Sequence, residues 1–172
     1  MSYVYALSRS TEPQTIFYIG ETTSPESRLT GHVGDYWTCE EKVHVLLNEA
    51  ELNGGFIMRI MFDTPGKKVG RAVEAMVSYL KHTDIVNPNT SRLLNVLRHL
   101  NGASIDNIKI TPFGISVLNS VNLENDINCD IMEFLLKGCT EKIEDFEISK
   151  EICTIGFNKL HRYCQSYYGV VK

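Results

Sequence analysis

The stretch from Phe17 to His32, FYIGETTSPESRLTGH, constrains this chain more than any other. A short apolar run ends in Tyr18-Ile19-Gly20, and a polar loop then leads to Ser24-Pro25. Serine can accept a backbone N–H as N-cap. Proline suits the first helical position, because the N–H it lacks would be unpaired there in any residue. A strand must therefore give way, through a few residues, to a helix. On that helix Arg28 and His32 stand four apart and share a face, so a cation and an imidazole lie beside a strand that carries a tyrosine.

The flanking residues supply partners for this unit. Ser2 to Leu7 (SYVYAL) is a β-branched and aromatic run that reads as a strand, with Tyr3, Tyr5 and Leu7 on one face and Val4 and Ala6 on the other. Ser8 to Gln14, which contains Pro13, reads as a hairpin loop into a second strand, Thr15 to Gly20, paired antiparallel with the first. Cys39 to Leu52 has helical apolar spacing at Val43, Leu46, Leu47 and Ala50, and Gly54-Gly55 ends it. Phe56 to Phe62 is the third strand. A further helix, Val69 to His82, buries Val69, Val73, Met76, Val77 and Leu80. Glu74 sits on the flank of that stripe, the sole acid between Lys67 and His82.

These residues resemble the GIY-YIG nuclease family over about residues 1–90. Tyr3-Val4-Tyr5 stands where the family's first tripeptide would be, with Tyr3 in place of its glycine, and Tyr18-Ile19-Gly20 matches the second tripeptide in full. Arg28 matches the family arginine, His32 the histidine that several members carry one turn later, and Glu74 the metal-binding glutamate. Asn87 matches the asparagine that ends the motif, with Asn89 close enough to compete. The resemblance implies hydrolysis of a phosphodiester with one Mg²⁺ or Mn²⁺ on Glu74, a hard oxygen ligand. It implies Arg28 on the phosphate oxygens and Gly20 allowing close approach of the substrate. It also implies a tyrosine as general base. Tyr5, Tyr18 and His32 all remain open, and a tyrosine would need a nearby cation to lower its pKa. Taken singly, Tyr5 and Tyr18 are ordinary strand aromatics, and Arg28 and His32 are an exposed helix face. Their joint occurrence in order carries the functional reading.

Charge pulls the other way. Formal net charge is −4, and basic residues do not outnumber acidic ones in either half, so a nucleic-acid surface has to be a local patch. Hydrophobic residues at 43% and charged ones at 22% predict a folded globular protein rather than a disordered one. The sequence has no long apolar span and no signal-peptide pattern. Its five cysteines are odd in number and irregularly spaced, which suits reduced thiols, so a cytoplasmic protein with no membrane segment is expected.

Residues 91–172 read as a mostly helical accessory region of unknown role. Thr90 to Leu100 is an amphipathic helix, Asn107 to Leu118 a short strand interrupted by Pro112, and Asn128 to Lys137 a helix ended by Gly138. The acidic run Glu141 to Glu151 reads as a solvated helix face or linker. Ile148 to Tyr163 resembles a helix-turn-helix around Gly156, but its apolar spacing after the glycine fits poorly. Cys139, Cys153, His161 and Cys164 lack the CxxC pair of a zinc site.

The sequence therefore predicts an α+β fold, a small three-stranded antiparallel sheet flanked by helices and followed by a mostly helical region. Its expected function is a metal-dependent DNA endonuclease, with a homodimer as one route to cutting both strands. The alternative is a non-catalytic nucleic-acid or protein interaction module that keeps the same fold.

Overall fold

A computed structural model of the chain describes residues 1–29, 50, 53–81, 93, 98, 105–124 and 126–145. The helix expected over Cys39 to Leu52 falls outside these residues except near its end. There Ala50 is helical, and the chain turns away through Gly54 and Gly55, both at positive φ. Those conformations are open to glycine and costly for other residues. The helix-turn-helix segment also lies outside the described residues.

The first two strands form a hairpin, β1 (Ser2–Arg9) with β2 (Glu12–Thr22). The expected loop of Ser8 to Gln14 is a tight turn at Ser10-Thr11 instead. Surplus residues of β2 are absorbed as irregularities in the ladder, where the register shifts between Leu7 and Ser8 and again between Ser8 and Arg9. Pro13 is tolerated inside β2 because, among the described residues, β2 is an edge strand of the sheet.

β3 (Phe56–Thr64) pairs antiparallel with the other side of β1. The sheet then continues beyond the three expected strands, through β4 (Ile108–Ile110) and β5 (Cys139–Lys142), in the order β2-β1-β3-β4-β5. It is mixed, since β4 is antiparallel to β3 but β5 is parallel to β4. The α+β class holds, and the sheet is larger than predicted. Pro112 does not interrupt a strand. It opens helix α2 (Pro112–Asn119), with Thr111 as N-cap. The first two residues of the acidic run Glu141 to Glu151, expected to be a helix face or linker, belong to strand β5.

Among the described residues, three helices cover one face of the sheet: α1 (Lys67–Lys81), α2, and α3 (Asp126–Gly138). Their core joins Val4, Ala6, Ile19, Phe62, Ile108 and Ile110 to Val73, Val77, Leu80, Val117, Ile131 and Leu135. Strand alternation sends Tyr5, Leu7, Met58 and Ile60 to the opposite face, where they pack with Leu29 and Ala50. The periodicity of residues 69–80 predicts the buried side of α1 correctly, apart from Val69, which is only half-buried.

A bulge in β3 fixes how these faces register. Val4 pairs with Phe62 but Tyr5 pairs with Ile60, leaving Met61 as the extra residue. Thr111 braces it. Its N–H donates to the Met61 carbonyl at 3.0 Å, and its hydroxyl donates to the Ile60 carbonyl at 2.8 Å and accepts from Gly114 N–H at 3.0 Å. One buried threonine thus ties the bulge beside Tyr5 to the start of α2.

Candidate active site

The β1–β2 register decides what meets at the sheet's Tyr5 face. Tyr5 lies directly across from Gly20, and Leu7 across from Tyr18, so Tyr5, Tyr18 and Gly20 share that face. Tyr5 is fully buried, with its phenol end lying over Gly20. A Cβ on residue 20 would overlap the Tyr5 ring carbon Cζ and hydroxyl and would sit 2.9 Å from Cε1 of Tyr18. The glycine of the tripeptide is therefore required by the tyrosine opposite it. The two tyrosine rings lie 6.1 Å apart, tilted by 46°.

Arg28 reaches the same point from the helical segment 25–29, which begins at Pro25 as its sequence predicts. The Ser24 carbonyl accepts the first helical bond, from Arg28 N–H at 3.0 Å. Thr22, at the end of β2, braces this strand-to-helix turn by accepting from Ser24 N–H at 3.1 Å. Leu29 points into the core and is fully buried, which turns its neighbour Arg28 outward, where it is exposed. Arg28 Nε donates a long hydrogen bond to the Tyr5 hydroxyl at 3.4 Å, and Tyr18 also acts on its charge.

The electrostatics of the cluster bear on the roles expected of it. Burial raises the Tyr5 pKa above the ordinary 10.0, and proximity to Tyr18 raises it further; the opposing pull of Arg28 is smaller. Tyr5 is thus held as a neutral phenol, contrary to what a base at neutral pH requires. For Arg28, burial favours loss of charge, but interaction with Tyr5 and Tyr18 outweighs it and raises its pKa. Arg28 remains a cation. The solvent-facing groups of the cluster are this guanidinium and the half-buried Tyr18, with Tyr5 enclosed behind them.

Glu74 comes from the other layer. It is half-buried on α1, which packs on the Val4 and Ala6 face, opposite the face of Tyr5. It lies one turn beyond Gly70, whose Cα abuts Ser2 of β1 and Glu21 of β2. Glu74 therefore occupies the flank of α1 nearest the β2 edge. Among the described residues no group of three or more His, Cys, Asp or Glu side chains could hold a metal ion. His32, Asn87 and Asn89 lie outside the described residues. Of the expected site residues, the fold brings together Tyr5, Tyr18, Gly20 and Arg28, while Glu74 approaches on a separate element.

Sequence reasoning missed three contributors. Thr22 had a readable signal, a threonine two residues before an N-cap, which favours a local side-chain turn. Ser2 and Glu21 had none, since their hydrogen bond joins two strands. Among the described residues, no helix is long and apolar enough to cross a membrane. No protein-family model, no curated protein and no solved structure matches the chain.

Proposed function

We propose that this chain is a metal-dependent DNA endonuclease of the GIY-YIG type, hydrolysing a phosphodiester at the Tyr18–Arg28 end of the β1–β2 hairpin. The observation that carries this reading is the Arg28 guanidinium, permanently charged and bonded to the Tyr5 hydroxyl beside Tyr18, yet exposed. A guanidinium held this way presents a fixed fork of donors to an anionic phosphate.

In the proposed hydrolysis a water oxygen bonds to phosphorus, the bond from phosphorus to the leaving sugar oxygen breaks, and one proton leaves the water. Arg28 stabilises the charge that builds on the non-bridging oxygens. Tyr5 orients Arg28 rather than taking the proton, because burial keeps its phenol neutral. The base is then Tyr18 or His32, and an imidazole needs less tuning for that task at neutral pH. By resemblance, the Glu74 carboxylate, a hard oxygen ligand, would hold one Mg²⁺ or Mn²⁺. When bound, such an ion would neutralise phosphate charge and stabilise the leaving oxygen. Asn87, with Asn89 as its competitor, completes the proposed constellation by resemblance.

A second reading, an interaction module that has lost the chemistry, is favoured by the neutral, enclosed Tyr5 and by the acidic balance of the chain. Plasmid nicking with Mg²⁺ or Mn²⁺ separates the two. Wild type should nick, whereas Glu74→Ala and Arg28→Ala should not. Absence of wild-type nicking with both ions, or its survival in both variants, supports the module. Solution mass with and without DNA then tests whether two copies assemble to cut both strands. We also place this activity in the cytoplasm.

A further inference from the structure

We infer that Gly70 is a positioning residue for Glu74, seating α1 against Ser2 and Glu21 at the depth a metal-ligating carboxylate needs. The inference rests on the proposed role of Glu74 as metal ligand.

Glycine in a helix interior is unfavourable relative to alanine, so its presence at position 70 calls for a reason in the packing. The packing provides one. A Cβ there would overlap Ser2 Oγ and lie 2.9 Å from Ser2 Cβ and 3.1 Å from Glu21 Cγ. Ordinary carbon contacts need roughly 3.5–4.0 Å.

Neither neighbour is free to turn aside. Ser2 is fully buried, and its hydroxyl donates to Glu21 Oε1 at 2.5 Å. Its carbonyl accepts from the Thr64 hydroxyl at 2.8 Å, which fixes β1 to the end of β3, three residues before α1 begins. The strand end, the carboxylate and the helix are locked at one point.

Glu74 lies four residues beyond that point, on the same flank and about 6 Å along the axis. The depth of the seat therefore sets the height of Glu74 beside β2, the strand that carries Tyr18 and Gly20. A larger residue at 70 lifts the helix on this side and carries the carboxylate with it.

The test uses the full chain as wild type, Gly70→Ala, Ser2→Gly, the double variant, and Glu74→Gln as a control for binding at the carboxylate. Mn²⁺ affinity is read from the EPR signal of free Mn²⁺, alongside plasmid nicking. Gly70→Ala should weaken Mn²⁺ binding about 10- to 100-fold, as loss of a group supporting a metal ligand does. Adding Ser2→Gly should restore most of both binding and nicking. Unchanged Mn²⁺ affinity in folded Gly70→Ala overturns the inference and leaves the nuclease reading standing. Wild type that neither binds Mn²⁺ through Glu74 nor nicks DNA overturns the nuclease reading itself. Should Gly70→Ala not fold, the double variant decides: wild-type Mn²⁺ affinity supports the seat, and weak binding refutes it.

Discussion

The protonation of Tyr5 separates its two possible roles, and it can be read from stability. Its pKa is raised above 10.0, chiefly by burial and then by Tyr18. A raised folded-state pKa means the folded protein holds the proton more tightly than the unfolded chain. The associated stability is fully present below about pH 10, where both states keep the phenol neutral, and is lost as pH climbs above it. Over that range the unfolded chain has released the proton while the folded chain retains it. The loss is about 1.4 kcal/mol for each pH unit, or about 1.4 kcal/mol by pH 11.

Other tyrosines and lysines also titrate there, so the informative quantity is a difference. Urea denaturation of wild type and Tyr5→Phe should show a stability gap that is constant from pH 7 to about pH 9.5. Above about pH 10 the gap should shift against wild type by about 1.4 kcal/mol per unit, since phenylalanine has no proton to lose. A gap that stays flat to about pH 11 would show that Tyr5 titrates alike in both states. A gap that moves at neutral pH would show a phenol already lowered by Arg28 and would restore Tyr5 as a candidate base.

Further outcomes follow from the same contacts. Gly20→Ala forces the enclosed Tyr5 ring off its seat. Overpacking of about 1–3 kcal/mol, less a few tenths regained from replacing a strand glycine, should lower Tm by roughly 2–8 °C, and an unchanged Tm in a calorimetric scan would refute the contact. Thr111→Val removes the helix cap and the hydroxyl bond to Ile60, leaving two buried backbone groups short of partners. It should cost about 2–4 kcal/mol in urea denaturation, and a cost under about 1 kcal/mol would show that the bulge holds without it. Arg28→Lys keeps the charge but loses the fork. Nicking should fall about 100-fold or more while stability changes by less than about 1 kcal/mol, and near-wild-type nicking would show that charge alone suffices.

What the sequence made legible was whatever depended on local pattern. The pairing of the Tyr5 and Tyr18 strands, the helix start at Ser24-Pro25 and the buried stripe of α1 all follow from alternation, capping and helical period over a few residues. Thr111-Pro112 bears the same cap signature as Ser24-Pro25, but apolar residues on both sides make Pro112 read as an interruption of a strand rather than the start of a helix. β5 had no signal at all. Its residues Cys139 to Lys142 are mostly polar and exposed, and its parallel pairing with β4 joins segments about thirty residues apart. The hairpin turn was overestimated because bulges absorb residues that a regular ladder would push into a loop. Of the site, the tyrosines and Arg28 were legible as a motif, but the burial that keeps Tyr5 neutral depends on Leu29, Ile60 and Gly20 closing around it.

That closure narrows where chemistry can happen. Among the described residues, Tyr5 is enclosed on the side of Gly20 and bonded to Arg28 on the other, so on the proposed reading a phosphate meets the cluster across Tyr18 and the guanidinium. Glu74 cannot join from the Tyr5 face, because α1 packs on the opposite one. It can meet the phosphate only around the β2 edge, where Gly20 and Glu21 are the last residues of the strand before Thr22 turns the chain toward Arg28. A catalytic reading therefore demands that β2 be the place where both layers of the fold meet the substrate. An interaction module makes no such demand, since Arg28 and Tyr18 could bind an anion with α1 at any depth. Sensitivity of activity to the Gly70 seat, on the far side of the sheet from Arg28, is thus what an enzyme requires and a module does not.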